Sequence, residues 1–97
     1  MRVVTPRVLN EYAKKMPQSK IPLLYWYKII TQSNWNSLNE VKKDFNSVDY
    51  VGNNRYVFNI KGNDFRIVVI ILFVSQKAYV RFIGTHNEYT KINCKTI

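Results

Sequence analysis

The sequence predicts an α+β fold, with N-terminal helices packed on one face of a small, mainly antiparallel sheet. Three observations carry this. Apolar residues recur at helical spacing as far as Phe45. From Arg55 onward the apolar period becomes two. Compact turn sequences, "KGND" and "SQK", separate the period-two stretches. Helices first and strands second suit a layered domain with the helices gathered on one side of the sheet.

Arg2–Thr5 reads as a short strand. Thr5 and Pro6 then form an N-cap and first-turn pair. Val8, Leu9, Tyr12, Ala13 and Met16 follow at helical spacing until Pro17 ends the segment. Ser19 caps a second helix through "KIPLLYWYKIITQ". Its stripe is Leu23, Leu24, Tyr27, Ile30 and Thr31, with Trp26 beside it. Joined by "PQS", the two helices read as an antiparallel hairpin. Asn36 or Ser37 opens a third, short helix with Leu38, Val41 and Phe45 on one side. Glu40 stands in the capping-box position relative to Ser37.

"RYVFNI" puts Tyr56, Phe58 and Ile60 on one face and Arg55, Val57 and Asn59 on the other. Gly62 and Asn63 are available for positive φ in the hairpin turn that follows. "FRIVVIILFV" is apolar on both faces, as expected of a central strand. "AYVRFIG" is the last strand. Thr85 onward reads as a short helix or irregular tail, with Glu88 placed to complete a capping box on Thr85.

Ninety-seven residues, 46% of them hydrophobic, suit one packed domain spanning residues 1–97. Lys and Arg number 15 against 6 Asp and Glu, a formal charge of +9 that favours a polyanionic partner. The basic residues are spread along the chain and belong to its folded body. Cys94 is the only cysteine, so no intrachain disulfide forms and a cytoplasmic location is the expectation. The start lacks a signal-peptide pattern. The longest apolar run, Ile67–Val74, has eight residues against the roughly 20 that cross a bilayer.

One histidine, one late cysteine and six scattered carboxylates give no metal-ligand spacing, so no metal or other cofactor is expected. Gly52, Gly62 and Gly84 are too dispersed for a phosphate-binding loop. Serine is scarce around His86, which removes a serine-hydrolase arrangement. A basic set remains: Arg55, Lys61, Arg66, Lys77, Arg81 and Lys91 lie in or beyond the strands. Arg66 shares a parity with Val68 and Ile70, and Arg81 with Tyr79 and Ile83. The two arginines could therefore converge near one end of the face that the helices leave open.

Blander readings stand beside these. A strand arginine can be a snorkelling surface charge. Thr85 can be only a helix cap and Tyr89 an aromatic at the core edge. Trp26 and Trp35 suit helix packing, and Asn59 and Asn63 suit hairpin chemistry. The residues by themselves reach a basic α+β domain with a polar face, leaning towards nucleic acid.

Several phrases occur together: "VFNI" at Val57–Ile60, "GN" at Gly62–Asn63, Arg66, and "GTHNEY" at Gly84–Tyr89, with Trp35 and Asp49 upstream. This combination resembles HigB-type toxins of the RelE/ParE superfamily of bacterial toxin–antitoxin systems. The resemblance covers nearly the whole chain. It implies a compact sheet flanked by N-terminal helices, messenger RNA cleavage on the translating ribosome, and neutralisation by a HigA-like helix-turn-helix antitoxin. Operator DNA would be bound only through the antitoxin complex.

The implied chemistry is metal-independent, with the RNA 2′-hydroxyl attacking the adjacent phosphate. By that resemblance Arg66, His86 and Tyr89 form the catalytic set: Arg66 on the phosphate, His86 for proton transfer, Tyr89 as hydrogen-bond donor or stacking ring. Arg55, Lys61, Arg81 and Lys91 bind RNA, and Glu88 is structural. ParE-like members use the same fold to poison DNA gyrase, and a non-catalytic nucleic-acid-binding module is a third alternative.

Overall fold

The computed structural model describes residues 1–97. A strand, β1 (Arg2–Val3), leads into helix α1 (Arg7–Lys15), and a 3₁₀ turn at Pro17–Ser19 reverses the chain into α2 (Lys20–Gln32). A third helix, α3 (Leu38–Asp44), precedes β2 (Asp49–Gly52), β3 (Arg55–Ile60), β4 (Phe65–Leu72) and β5 (Lys77–Thr85). The chain then forms the single turn of α4 (His86–Tyr89). The five strands make one sheet in the order β1-β5-β4-β3-β2, with β4 at its centre as the two-faced apolar run predicts. Every pairing is antiparallel except β1 with β5, which is parallel. The α+β reading holds, with β2 added at one edge and β1 at the other.

One face of the sheet carries the core. Tyr56, Phe58 and Ile60 of β3 and Phe65, Ile67, Val69 and Ile71 of β4 pack against Leu9 of α1, Leu23, Trp26 and Ile30 of α2, and Val41 of α3. The buried side of α2 is Leu23, Trp26 and Ile30. Trp26, expected beside the stripe, is thus at its centre, 0% exposed, while Leu24 is 49% exposed. Its ring meets Phe58 edge-on at 5.5 Å, and Phe58 meets Phe45 at 5.1 Å. Such T-shaped pairs add about 0.5–1.5 kcal/mol each beyond area burial. Trp35 joins this set against Phe45, and its indole N–H donates to Asp44 Oδ2 at 2.8 Å.

Local chemistry departs from expectation at several ends. Pro6 is the N-cap of α1 and Thr5 supplies no side-chain bond. Ser19 precedes α2, but its hydroxyl donates backwards to Met16 O at 2.6 Å. At α3, Glu40 accepts from the Asn36 N–H and the Ser37 hydroxyl, so the box forms one residue early. In the β3–β4 turn the left-handed residues are Lys61 and Gly62, not Gly62 and Asn63. The β2–β3 hairpin turns on Asn53 and Asn54, both at positive φ, the backbone that a tight two-residue turn requires.

The second face of the sheet is only partly open. Val57 and Val68 lie opposite each other on it and are buried, though they stand outside the main core. The C-terminal tail returns to the β2–β3 end of the sheet. Asn53 Nδ2 donates to Lys95 O at 3.1 Å, and the Arg55 guanidinium donates twice to Ile97 O, at 2.7 and 3.2 Å.

Candidate functional site

The β3–β4 turn, the end of β5 and α4 meet at one end of the sheet. Ile60 pairs with Phe65 and Phe65 with Thr85, so the three strands finish together. The His86 N–H then donates to Asp64 O at 3.3 Å, tying the start of α4 to the turn. Thr85 forms the full capping box that its sequence predicts. Its hydroxyl accepts from the Glu88 N–H at 3.2 Å, and Glu88 Oε1 accepts from the Thr85 N–H at 2.8 Å. The bond from the Thr85 N–H is the main reason that the Glu88 carboxyl lies below the usual carboxylate range. Glu88 is thereby structural, and it fixes α4 at this corner.

Arg66 stands second on β4, on the face away from the core, paired with Asn59 on β3 and Gly84 on β5. Its guanidinium carbon lies 4.7 Å from the centroid of the Tyr89 ring. That contact is worth about 0.5–2 kcal/mol and holds the charge over α4. Arg66 Nε is buried with no hydrogen-bond partner in the protein. A buried guanidinium donor left unpaired is costly, and an anionic oxygen would relieve it. Gly84 makes room for the arrangement: a Cβ there would lie 2.5 Å from Phe82 Cζ. The Phe82 ring in turn lies 6.4 Å from that of Tyr89.

Tyr89 does not offer its hydroxyl outward. The phenol donates to Cys94 Sγ at 3.3 Å. Burial first, and then the bond to Cys94, push its pKa above the usual tyrosine value, against the pull of Arg66. Its ring forms a platform under the guanidinium. Tyr89→Phe is accordingly expected to keep activity within about threefold, since it removes only the bond to Cys94, while Tyr89→Ala removes the platform and costs tenfold or more. Parallel assays of the two variants, each checked for folding, measure this.

His86 is the first residue of α4 and is exposed. It stands three positions before Tyr89, which places both on the same side of the turn. Lys61 is at this end too, paired with Asp64 at 3.7 Å in an exposed ion pair worth little. Lys91 is exposed just beyond α4. The structure thus brings together Arg66, His86, Tyr89, Lys61 and Lys91.

It does not bring in Arg81 or Arg55. The β4–β5 register slips between Val68 and Val69, leaving Arg81 as the extra residue of a β-bulge. Parity counting fails across a bulge. Arg81 lines a shallow groove with Val8, Glu11, Tyr12 and Lys15 on the α1 side, so the expected convergence with Arg66 does not occur. Arg55 is four residues along β3 from Asn59, about 13 Å at strand rise. It is held by the carbonyls of Ile97 and Asn53. Conversely, Asn59, which the sequence suits to hairpin chemistry, pairs directly with Arg66. Counting outward from the four-residue "KGND" turn gives that pairing.

A concavity of about 730 Å³ lies elsewhere, between α1 and α2, lined by residues such as Leu9, Leu23, Leu24 and Tyr27. Its charged lining is Lys14 and Lys20, which supply no acid–base set.

Two comparisons bear on this arrangement. A family model described as HigB_toxin, RelE-like toxic component of a toxin–antitoxin system, matches residues 19–92. The mRNA interferase toxin HigB of Escherichia coli is 36% identical over 92 residues, spanning 92% of this chain and 88% of its own length. The mRNA interferase HigB of Shigella flexneri matches to the same extent. A further Escherichia coli mRNA interferase HigB is 28% identical over 94 residues, 95% of this chain and 91% of that protein.

Proposed function

This chain belongs to the HigB toxin family, the RelE-like toxic component of toxin–antitoxin systems, and from that premise we propose that it is an mRNA interferase. The reaction is endonucleolytic cleavage of messenger RNA. The toxin acts in the cytoplasm on the translating ribosome and is silenced by a HigA-like antitoxin. The observation that carries this reading is the Arg66 guanidinium held over Tyr89 with a buried, unpartnered Nε, at the same end of the sheet as the one histidine. An anionic phosphate oxygen is the kind of acceptor that suits such a donor, and His86, at the same corner, is a group that can transfer a proton. The charge of +9 suits both an RNA backbone and an acidic inhibitor. No helix is long and apolar enough to cross a membrane.

In the mechanism, the 2′-oxygen attacks the adjacent phosphorus and the P–O5′ bond breaks as the P–O2′ bond forms. Arg66 stabilises the charge that gathers on the phosphoryl oxygens, in a site where the donor is already placed. His86 gives a proton to the departing 5′-oxygen. Lys61 and Lys91 hold the flanking phosphates, each a point charge on a flexible stem. Arg81, on the α1 side, extends the basic surface rather than the reacting centre.

Purified toxin should cut a defined messenger RNA, more efficiently with ribosomes present, and should do so in EDTA. A parallel DNA gyrase supercoiling assay should show no inhibition. Inducible expression should stop growth and protein synthesis, and co-expression of the cognate antitoxin should restore both. Gyrase inhibition without RNA cleavage would move the chain to the ParE-like activity. RNA binding with no cleavage under any of these conditions would make it a binding module.

A further inference from the structure

Asn59 occupies a place that strand physics does not favour. Asparagine is a poor strand former, and β3 is an interior strand flanked by β2 and β4. The side chain lies directly across from Arg66, on the same face, with about 5 Å between Cβ atoms. It is partly buried. None of the side-chain hydrogen bonds within the protein involves its carboxamide, which has two donor hydrogens and an accepting oxygen. Its neighbours on that face of β3 are otherwise committed: Val57 is buried and Arg55 is bonded to Ile97 O.

Arg66 therefore has unlike flanks. On the β5 side stand Gly84, α4, Tyr89 and His86. On the β3 side stands the free amide of Asn59. A phosphoryl transfer in line requires the attacking and leaving oxygens on opposite sides of the phosphorus. With the phosphate on Arg66 and the leaving 5′-oxygen towards His86, the attacking 2′-hydroxyl falls on the Asn59 side. The 2′-hydroxyl is also the nucleoside group nearest the phosphate, and a short asparagine about 5 Å from Arg66 reaches it more readily than a base.

We infer that Asn59 contacts substrate as the group that orients the 2′-hydroxyl, its carboxamide N–H donating a hydrogen bond to the 2′-oxygen and leaving the O–H proton free. This rests on the RNA-cleavage reading above. The amide takes no proton: the hydroxyl proton passes to water as the P–O2′ bond forms, and His86 protonates the 5′-oxygen. The assignment makes the site selective for RNA, since a deoxyribose leaves the amide without its partner.

The test uses the full chain on a single-site RNA, with kcat and KM separated. Asn59→Thr is the informative variant, because a β-branched residue suits the strand and raises the melting temperature. It should lower kcat about 10- to 100-fold, the scale of a misoriented reactant, with KM within about threefold. Asn59→Ala should act in the same direction. A more stable Asn59→Thr that cleaves at the wild-type rate would overturn the inference and leave the RNA-cleavage reading intact. A loss confined to KM would overturn it in favour of binding remote from the 2′-hydroxyl. Wild-type protein that cuts no RNA would remove the underlying reading, and this one with it.

Discussion

Arg66→Ala is expected to fold and to lose at least about 10²-fold in cleavage rate, the effect typical of removing one preplaced transition-state donor. Arg66 sits on the central strand among Val68 and Ile70, yet its side chain lies on the face away from the core, where it touches Tyr89 and nothing in the main apolar cluster. Removing it leaves the packing of Ile67 and Val69 untouched and relieves the unpaired Nε. Folding should accordingly be unchanged or slightly improved, which separates a catalytic loss from a structural one. Arg66→Lys should recover only part of the rate, because an ammonium does not reproduce the bidentate fork of the guanidinium held over Tyr89. A folded Arg66→Ala toxin that still arrests growth at undiminished potency would place the phosphate elsewhere.

His86→Gln should lower cleavage by roughly the 10²–10⁴-fold assigned to a general acid or base. The expected effect is on chemistry alone. The His86 backbone N–H is bonded to Asp64 O and the cap belongs to Thr85 and Glu88, so glutamine leaves the corner built as before. A cap-only role predicts the opposite: cleavage within about twofold of wild type throughout the pH range. Because His86 lies on the exposed side of a single helical turn, thermal stability should not distinguish the two accounts, and kinetics must.

The elements most legible in the sequence are those governed by strict periodicity. Leu9, Leu23, Ile30 and Val41 are readable as core from helical spacing, and Tyr56, Phe58 and Ile60 from alternation. Thr85 and Glu88 are readable because a capping box is a local code of four residues. β2 is not, since "DYVG" is short, polar at one end and ended by glycine, and it is a strand only because β3 offers it an edge. The Arg81 bulge is invisible for a related reason. Parity counting assumes an unbroken ladder, and the slip opposite Val68 and Val69 belongs to two strands at once. The tail's return to Asn53 and Arg55 joins residues far apart in the chain with no repeating pattern. Of the site, Arg66 stands out as a charge in an apolar run, whereas Asn59 emerges only when the hairpin is counted outward from its turn.

The parallel pairing of β1 with β5 has a kinetic meaning. Arg2 lies beside Lys77, and the Val4 N–H donates to Ala78 O at 3.0 Å. Closing the chain over that separation is entropically expensive, and two strand residues return little for it until β4 and β5 are already joined. The β3–β4 and β4–β5 hairpins, each closed by a short turn, are the early structure, and β1 docks late. Until it does, β5 presents a bare edge, with unpaired amides open to another chain. The strand that leads into the histidine corner is therefore completed by residues synthesised well before it, which wait for it unpaired, and in that interval nascent copies can zip together along the bare edge.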